Sequence, residues 1–149
     1  MNWTVKKFDE LSIDELYELI RLRIEVFVVE QDCPYQELDS KDQEAIHLFG
    51  RRKGELVAYS RLFPNSVVNE NSSIGRVIVK ESARGKGYGQ ALLEKAIEYL
   101  EVELQETKIL IHAQLYLQEF YESFGFKKVS DIYLLDGINH LDMRRERYN

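Results

Sequence analysis

The segment from Ser73 to Leu100 constrains the fold more than any other part of the chain. Ile74-Gly75-Arg76-Val77-Ile78-Val79 reads as a strand, Arg84-Gly85-Lys86-Gly87-Tyr88-Gly89 follows, and Ala91, Leu92, Leu93, Ala96, Ile97 and Leu100 then recur at helical spacing. Glycines at alternate positions directly before a helix leave backbone N–H groups unpaired at the positive helix end, an arrangement that attracts an anion. Glycine also allows close approach to the backbone, and Arg84 and Lys86 add local positive charge. A pyrophosphate fits that description. A strand-to-helix turn without any ligand fits it as well.

Other phosphate motifs match worse. A Walker loop needs an upstream glycine and a hydroxyl after Gly-Lys, and Gly85-Lys86 has neither. A dinucleotide fingerprint begun at Gly85 would need glycine at Gln90, and one begun at Gly87 would need glycine or alanine at Leu92. The preceding turn, Lys80-Glu81-Ser82-Ala83, is also longer than that fold uses.

The remaining pattern surrounds this unit with a mixed α/β set of elements. Trp3 to Phe8 is predicted as a strand, and Ser12-Ile13-Asp14-Glu15 as a capping box opening a helix that carries Leu16, Leu19, Ile20, Ile24 and Phe27 on one face. Val26 to Val29 are expected to fray toward extended chain. Glu30 to Gln43 has neither period and reads as a loop. Ala45–Arg51 and Leu56–Phe63 form a hairpin around Lys53-Gly54-Glu55. Lys108 to Ala113 is predicted as a central strand buried on both faces. A short helix from about Leu117 to Phe124 stops at Gly125, and Phe126–Leu134 with His140–Arg145 form a closing hairpin around Asp136-Gly137. The fold class is α/β (α+β), a layered domain spanning 1–149 with a mixed, mostly antiparallel sheet flanked by helices.

Arg84-x-x-Gly87-x-Gly89 after the Ile74–Val79 strand resembles the acetyl-CoA signature of the GNAT N-acyltransferases. Phe120-Tyr121-x-x-Phe124-Gly125-Phe126 is similar to that family's second core motif, at the matching separation of a helix and a strand. Val26-Phe27-Val28-Val29-Glu30-Gln31-x-Cys33-Pro34-Tyr35-Gln36 and Asp136-Gly137-Ile138-x-His140 resemble the ElaA-like branch of small bacterial proteins. The resemblance spans nearly the whole chain. It implies acetyl-CoA as co-substrate, no metal, and a small-molecule or peptide amine as acceptor. It implies that amides of Gly85, Lys86, Gly87, Tyr88, Gly89 and Gln90, beside Arg84, hold the pyrophosphate, while backbone of Ile78 and Val79 pairs with the pantetheine arm and Gln114 lines the same channel. Tyr121 matches the general acid that protonates the departing thiolate; read from the residues, it is equally a half-buried aromatic with one wet end. Paired subunits are common in the family, so a homodimer is implied as an option.

Acyl transfer needs a neutral amine, hence a base or a water chain. Glu30, Glu37 and Asp39 in the long loop, His112 and His140 are the candidates, with Gln31 and Tyr35 beside them on the acceptor side. Loop carboxylates usually face water, and His112 is as readily a satisfied core histidine. Where many family members carry a carboxylate on the strand before the glycine loop, this chain has Gly75 and Arg76. Alternation places Arg76 with Ile74 and Ile78, and Arg61 with Tyr59 and Phe63. If those faces coincide, the two guanidiniums orient an anionic acceptor group or anchor Glu30 and Asp39.

Composition narrows the alternatives. Against 20 basic residues stand 26 acidic ones, a net charge of −6, which disfavours general nucleic-acid binding. No run approaches a membrane span, no leader is evident, and Cys33, with no cysteine partner, demands no oxidising compartment, so a cytoplasmic protein is expected. His47, His112 and His140 lack metal-ligand spacing, and Cys33 before Pro34 reads as packing in a turn. Two rival readings stay open: a non-catalytic acyl-CoA-binding or interaction module, and a nucleotide-binding protein using the same glycine loop.

Overall fold

Strand β1 (Asn2–Lys7) leads through a 3₁₀ turn into helix α1 (Ile13–Ile24) in the computed structural model, which describes residues 1–65 and 71–147. Ser12 caps α1 as the sequence predicts. Its Oγ accepts the Glu15 amide at 3.0 Å, the Glu15 carboxylate accepts the Ser12 amide at 2.8 Å, and Lys6 donates to the same carboxylate at 2.9 Å. Leu19, Leu22 and Val26 pack on Phe49, Leu56, Tyr59 and Ile78; complete burial of each such side chain contributes about 1.5–3 kcal/mol. Val26 to Val29 do not fray into extended chain. Residues Glu25–Glu30 continue α1 as a π turn, with the Gln31 amide donating to the Val26 carbonyl at 3.3 Å.

Strands β2 (Ile46–Arg52) and β3 (Glu55–Phe63) turn at Lys53 and Gly54, both at positive φ (51° and 82°), the two-residue geometry that suits the strands' twist. After β4 (Ser72–Val79) come α2 (Tyr88–Glu98), β5 (Lys108–Gln114), α3 (Gln118–Glu122), β6 (Lys127–Lys128), β7 (Tyr133–Leu135) and β8 (Ile138–Glu146). They build one sheet in the order β1-β2-β3-β4-β5-β8-β6, with β7 also on β8. Every pairing is antiparallel except β4 with β5. α1 covers one face; Leu92, Leu93, Ala96 and Ile97 of α2 cover the other, against Leu48, Leu62, Ile74, Ile109, Ile111 and Met143. Among the described residues no helix is long and apolar enough to cross a membrane.

Three expectations are corrected. The segment Phe126–Leu134 is not one strand: β6 and β7 pair with different parts of β8, and between them the Ser130 hydroxyl, not backbone, accepts the Asp142 amide at 2.8 Å. β5 is not buried on both faces; Ile109, Ile111 and Ala113 enter the core, while Lys108 and His112 are exposed because α1 covers only the β1–β4 half of its face. Arg76 does not share a face with both Ile74 and Ile78. The ladder runs Tyr59↔Ile78 and then Arg61↔Gly75, so β4 holds one extra residue, a bulge with Arg76 at φ +49°. The bulge sends Ile74 into the core beneath α2 and Ile78 toward α1.

Candidate active site

The parallel pairing stops short of the bulge. β4 and β5 are joined only at Ser72↔Ile109 and Ser73↔Leu110 and then part, leaving the outer edge of β4 from Ile74 onward without a strand neighbour. A cleft of about 900 Å³ fills the opening. Lys80 donates its amide to Val57 of β3 at 2.8 Å, so by alternation the amide and carbonyl of Val79 turn to the open side. The Val79 carbonyl already accepts Arg84 Nε at 2.9 Å, which leaves its N–H as the free group there.

At the mouth of this wedge lies the glycine loop. Gly85 and Gly87 have φ of +78° and +82°, and a Cβ at either would meet nothing within 4 Å, so open space lies before the backbone. The first helical bond of α2 runs from the Ala91 amide to the Gly87 carbonyl at 3.1 Å; among the described residues the amides from Gly85 to Gln90 find no backbone acceptor. Unbonded donors at a helix start, with space before them, suit the diphosphate of coenzyme A. Gly85, Gly87, Tyr88 and Gly89 line the cleft, whereas the Lys86 and Gln90 side chains point to solvent outside it. Arg84 is not a free cation. Glu30 accepts from it at both oxygens, at 2.6 and 2.8 Å, bridging the π turn after α1 to the loop.

The polar loop from Gln31 to Glu44 is held from beneath by buried charge. Arg23, wholly buried on α1, donates to Glu37 through Nε and Nη2 at 2.8 Å each and to Asp42 through Nη1 at 2.8 Å. Arg61 donates to Asp39 at 2.8 and 2.7 Å and to Asp42 at 2.9 Å, and Arg76 to Glu37 at 2.5 Å. The two sheet guanidiniums therefore meet on one anionic set, but they anchor Glu37, Asp39 and Asp42, not Glu30. The expectation that loop carboxylates face water fails most plainly at Glu37, which is 1% exposed. Burial opposes ionisation at Asp39 and Asp42, yet hydrogen bonds and charge from Arg61 at the first, and from Arg23 and then Arg61 at the second, hold both carboxyls below the ordinary range. His47 completes the underside: the Asp42 carbonyl can only accept, so Nε2 carries the proton and Nδ1 accepts the Tyr59 hydroxyl at 2.7 Å. Burial pulls the His47 pKa down, and pushes that of Tyr59 up.

Arg23 escaped the sequence reading. Its spacing from Leu19, Ile20, Val26 and Phe27 puts it on the apolar stripe, where a guanidinium must have partners.

On the far wall, Tyr121 of α3 is 5% exposed, more deeply set than a half-buried aromatic, and packs edge-on against Phe120 and Phe126. Its hydroxyl has no hydrogen-bond partner among the described residues and the side chain lines the cleft. Burial, helped by Tyr116 nearby, raises its pKa well above the ordinary phenol value. α3 stops where Gly125, at φ +85°, donates its amide to Glu122 at 2.9 Å.

Gln31 and Tyr35 line the cleft from the polar loop, with the Arg76 guanidinium 5.8 Å from the Tyr35 ring centre. Burial raises the Tyr35 pKa although Arg76 opposes it. Gln114, His112 and His140 complete the lining from β5 and β8. His112 is not a core histidine: its side chain is 56% exposed, and Nδ1 lies 2.6 Å from Asp142 Oδ1, which also accepts the Tyr133 hydroxyl at 2.6 Å. Cys33 donates its thiol to the Asp136 carbonyl at 3.4 Å, a link between loop and hairpin.

Comparison with known proteins agrees with this architecture. Residues 11–147 match the family model described as an acetyltransferase (GNAT) domain. The chain is 43% identical over 148 residues to protein ElaA of Escherichia coli, covering 98% of this chain and 97% of that one. The crystal structure of an acyl-CoA N-acyltransferase from Pseudomonas aeruginosa superposes with a TM-score of 0.92 at 42% identity, over 97% of this chain and 99% of that chain. That of Escherichia coli ElaA gives 0.91 at 42% identity, over the same shares. The likeness runs the length of the molecule, and the chain belongs to the GNAT acetyltransferase family.

Proposed function

We propose that the chain transfers an acetyl group from acetyl-CoA to a primary amine by direct attack, without a covalent enzyme intermediate. The observation that carries this reading is the divergence of β4 from β5 immediately beside the unbonded amides from Gly85 to Gln90. Acetyl-CoA, when bound, supplies the activated thioester carbonyl and a thiolate leaving group. The glycine loop binds the diphosphate, and the free N–H of Val79 on the open edge of β4 orients the pantetheine arm as a neighbouring strand would. Tyr121 holds a proton at its hydroxyl for the departing sulfur, as a phenol does at neutral pH, and gives it up as negative charge builds on that sulfur. Phe120, edge-on to Tyr121, and Leu117 give that part of the cleft an apolar wall.

The acceptor enters on the side of Gln31 and Tyr35. Arg61 and Arg76 are neutralised by Asp39, Asp42 and Glu37 and do not select an anionic acceptor, a narrower role than the sequence allowed them. Thiol release from acetyl-CoA across a panel of polyamines, arylalkylamines and lysyl peptides tests the reading. Turnover with at least one acceptor supports it. Binding of acetyl-CoA with no release across the panel supports a non-catalytic module instead, a reading favoured by the absence of a carboxylate base at Gly75 and Arg76.

A further inference from the structure

We propose that His140 is the base that takes the proton from the acceptor ammonium, an inference that rests on the acyl-transfer reading. The candidate carboxylates are engaged: Glu30 by Arg84, Glu37 by Arg23 and Arg76, Asp39 by Arg61. His140 is placed differently. On β8 it sits opposite Gln114 at the wide end of the wedge, and since Leu141 and Met143 enter the core, it faces the acceptor side. The residue is 7% exposed and its ring stacks on Tyr133 at 6.0 Å and 22°.

The tautomer follows from one hydrogen bond. Nδ1 lies 2.8 Å from the Ile138 carbonyl, which only accepts, so Nδ1 carries the proton and the neutral ring presents a lone pair at Nε2. Nε2 has no partner among the described residues, yet it is not among the sealed polar atoms, and His140 lines the cleft. A rigid ring, mostly buried, with one nitrogen fixed by backbone and a bare lone pair opening on the acceptor side is a base held ready. His112 shares that face, but its ring stands largely in water with Nδ1 on Asp142.

In the step, Nε2 takes one proton from the ammonium, and the freed nitrogen lone pair forms the C–N bond at the thioester carbonyl as the C–S bond breaks. Tyr121 gives its proton to the sulfur, the second amine proton replaces it through water, and the His140 imidazolium returns its proton to solvent. The sum is amide, free thiol and one proton released.

The test compares two acceptors in wild type and His140→Gln, with spermidine as an amine protonated at neutral pH and hydroxylamine as one that is neutral, uncatalysed background subtracted. The expected result is a drop in kcat/KM of about 10²-fold or more with spermidine and a much smaller drop with hydroxylamine, with acetyl-CoA affinity unchanged. Where another amine of the panel turns over faster it takes the place of spermidine; equal losses with both amines, or none with the protonated one, overturn the assignment, and no turnover by wild type with hydroxylamine or any amine of the panel overturns the acyl-transfer reading itself. A second readout needs no turnover. Long-range proton–nitrogen correlation spectra of the neutral His140 ring are expected to show protonated Nδ1 and bare Nε2, and an Nε2–H tautomer overturns the proposal.

Discussion

Two side chains carry opposite burdens in this molecule. Tyr121 is nearly buried, yet its hydroxyl has no hydrogen-bond partner among the described residues and the side chain lines the cleft. Tyr121→Phe keeps the packing with Phe120 and Phe126, so acetyl-CoA affinity is expected to stay within about twofold while kcat falls about 10²-fold; equal kcat in steady-state assays removes Tyr121 from the mechanism. Glu37 has the converse role, since Arg23 and Arg76 both depend on it in a dry site. Glu37→Gln leaves three guanidiniums, Arg23, Arg61 and Arg76, facing only Asp39 and Asp42, and is expected to lower stability by about 3–5 kcal/mol in urea unfolding. A loss under 1 kcal/mol would mean that the two arginines find other partners.

At the scale of elements, the polar loop after α1 behaves as a strap tied to β3 and β4 by ions. Asp39 and Asp42 have pKa values lowered in the fold, so their contribution is present above the unfolded value of about 4 and is lost as pH falls through the lower folded values. His47, buried neutral with a lowered pKa, binds its proton less readily folded than unfolded, so stability also declines below about pH 6.5. Urea midpoints are expected to fall gently from about pH 6.5 and steeply below about 4, the steep part weakened in Asp39→Asn; a flat profile contradicts the strap. Gly125 stops α3 at φ +85°, and a Cβ there would lie 2.9 Å from Arg145 Nη1, so Gly125→Ala is expected to cost about 1–3 kcal/mol in thermal unfolding. These elements differ in legibility. The Ser12 cap, the Lys53-Gly54 turn and the Gly125 stop are local chemistry and can be read in the sequence. The bulge at Arg76 cannot, because nothing in Gly75-Arg76-Val77 marks which residue is unpaired, and a face assignment by simple alternation then fails beyond it. The strap is legible in part: facing arginines on β3 and β4 point to Asp39, whereas Arg23, Glu37 and Asp42 join them only when α1, β3 and β4 pack.

Across the whole molecule, a protein of net charge −6 sets its glycine loop where the one parallel strand pair among the described residues comes apart. The loop is legible because its glycines and the following helix are contiguous; the extent of the cleft is not, because nothing local marks that the β4–β5 pairing stops after Ser73 or that α1 covers only part of one face. The central claim is that this loop holds the diphosphate of acetyl-CoA. Calorimetric titration of acetyl-CoA, with ATP and NAD as controls, into wild type, Gly87→Glu and Gly89→Glu tests it most directly. Gly89 lies in the ordinary helical region, so its variant keeps the comparison sound if strain at Gly87 disturbs the turn. The expected result is acetyl-CoA binding by wild type, lost in both variants at unchanged circular dichroism, with no comparable binding of ATP or NAD. Undiminished binding by a folded Gly89→Glu variant, or none by wild type, contradicts the account.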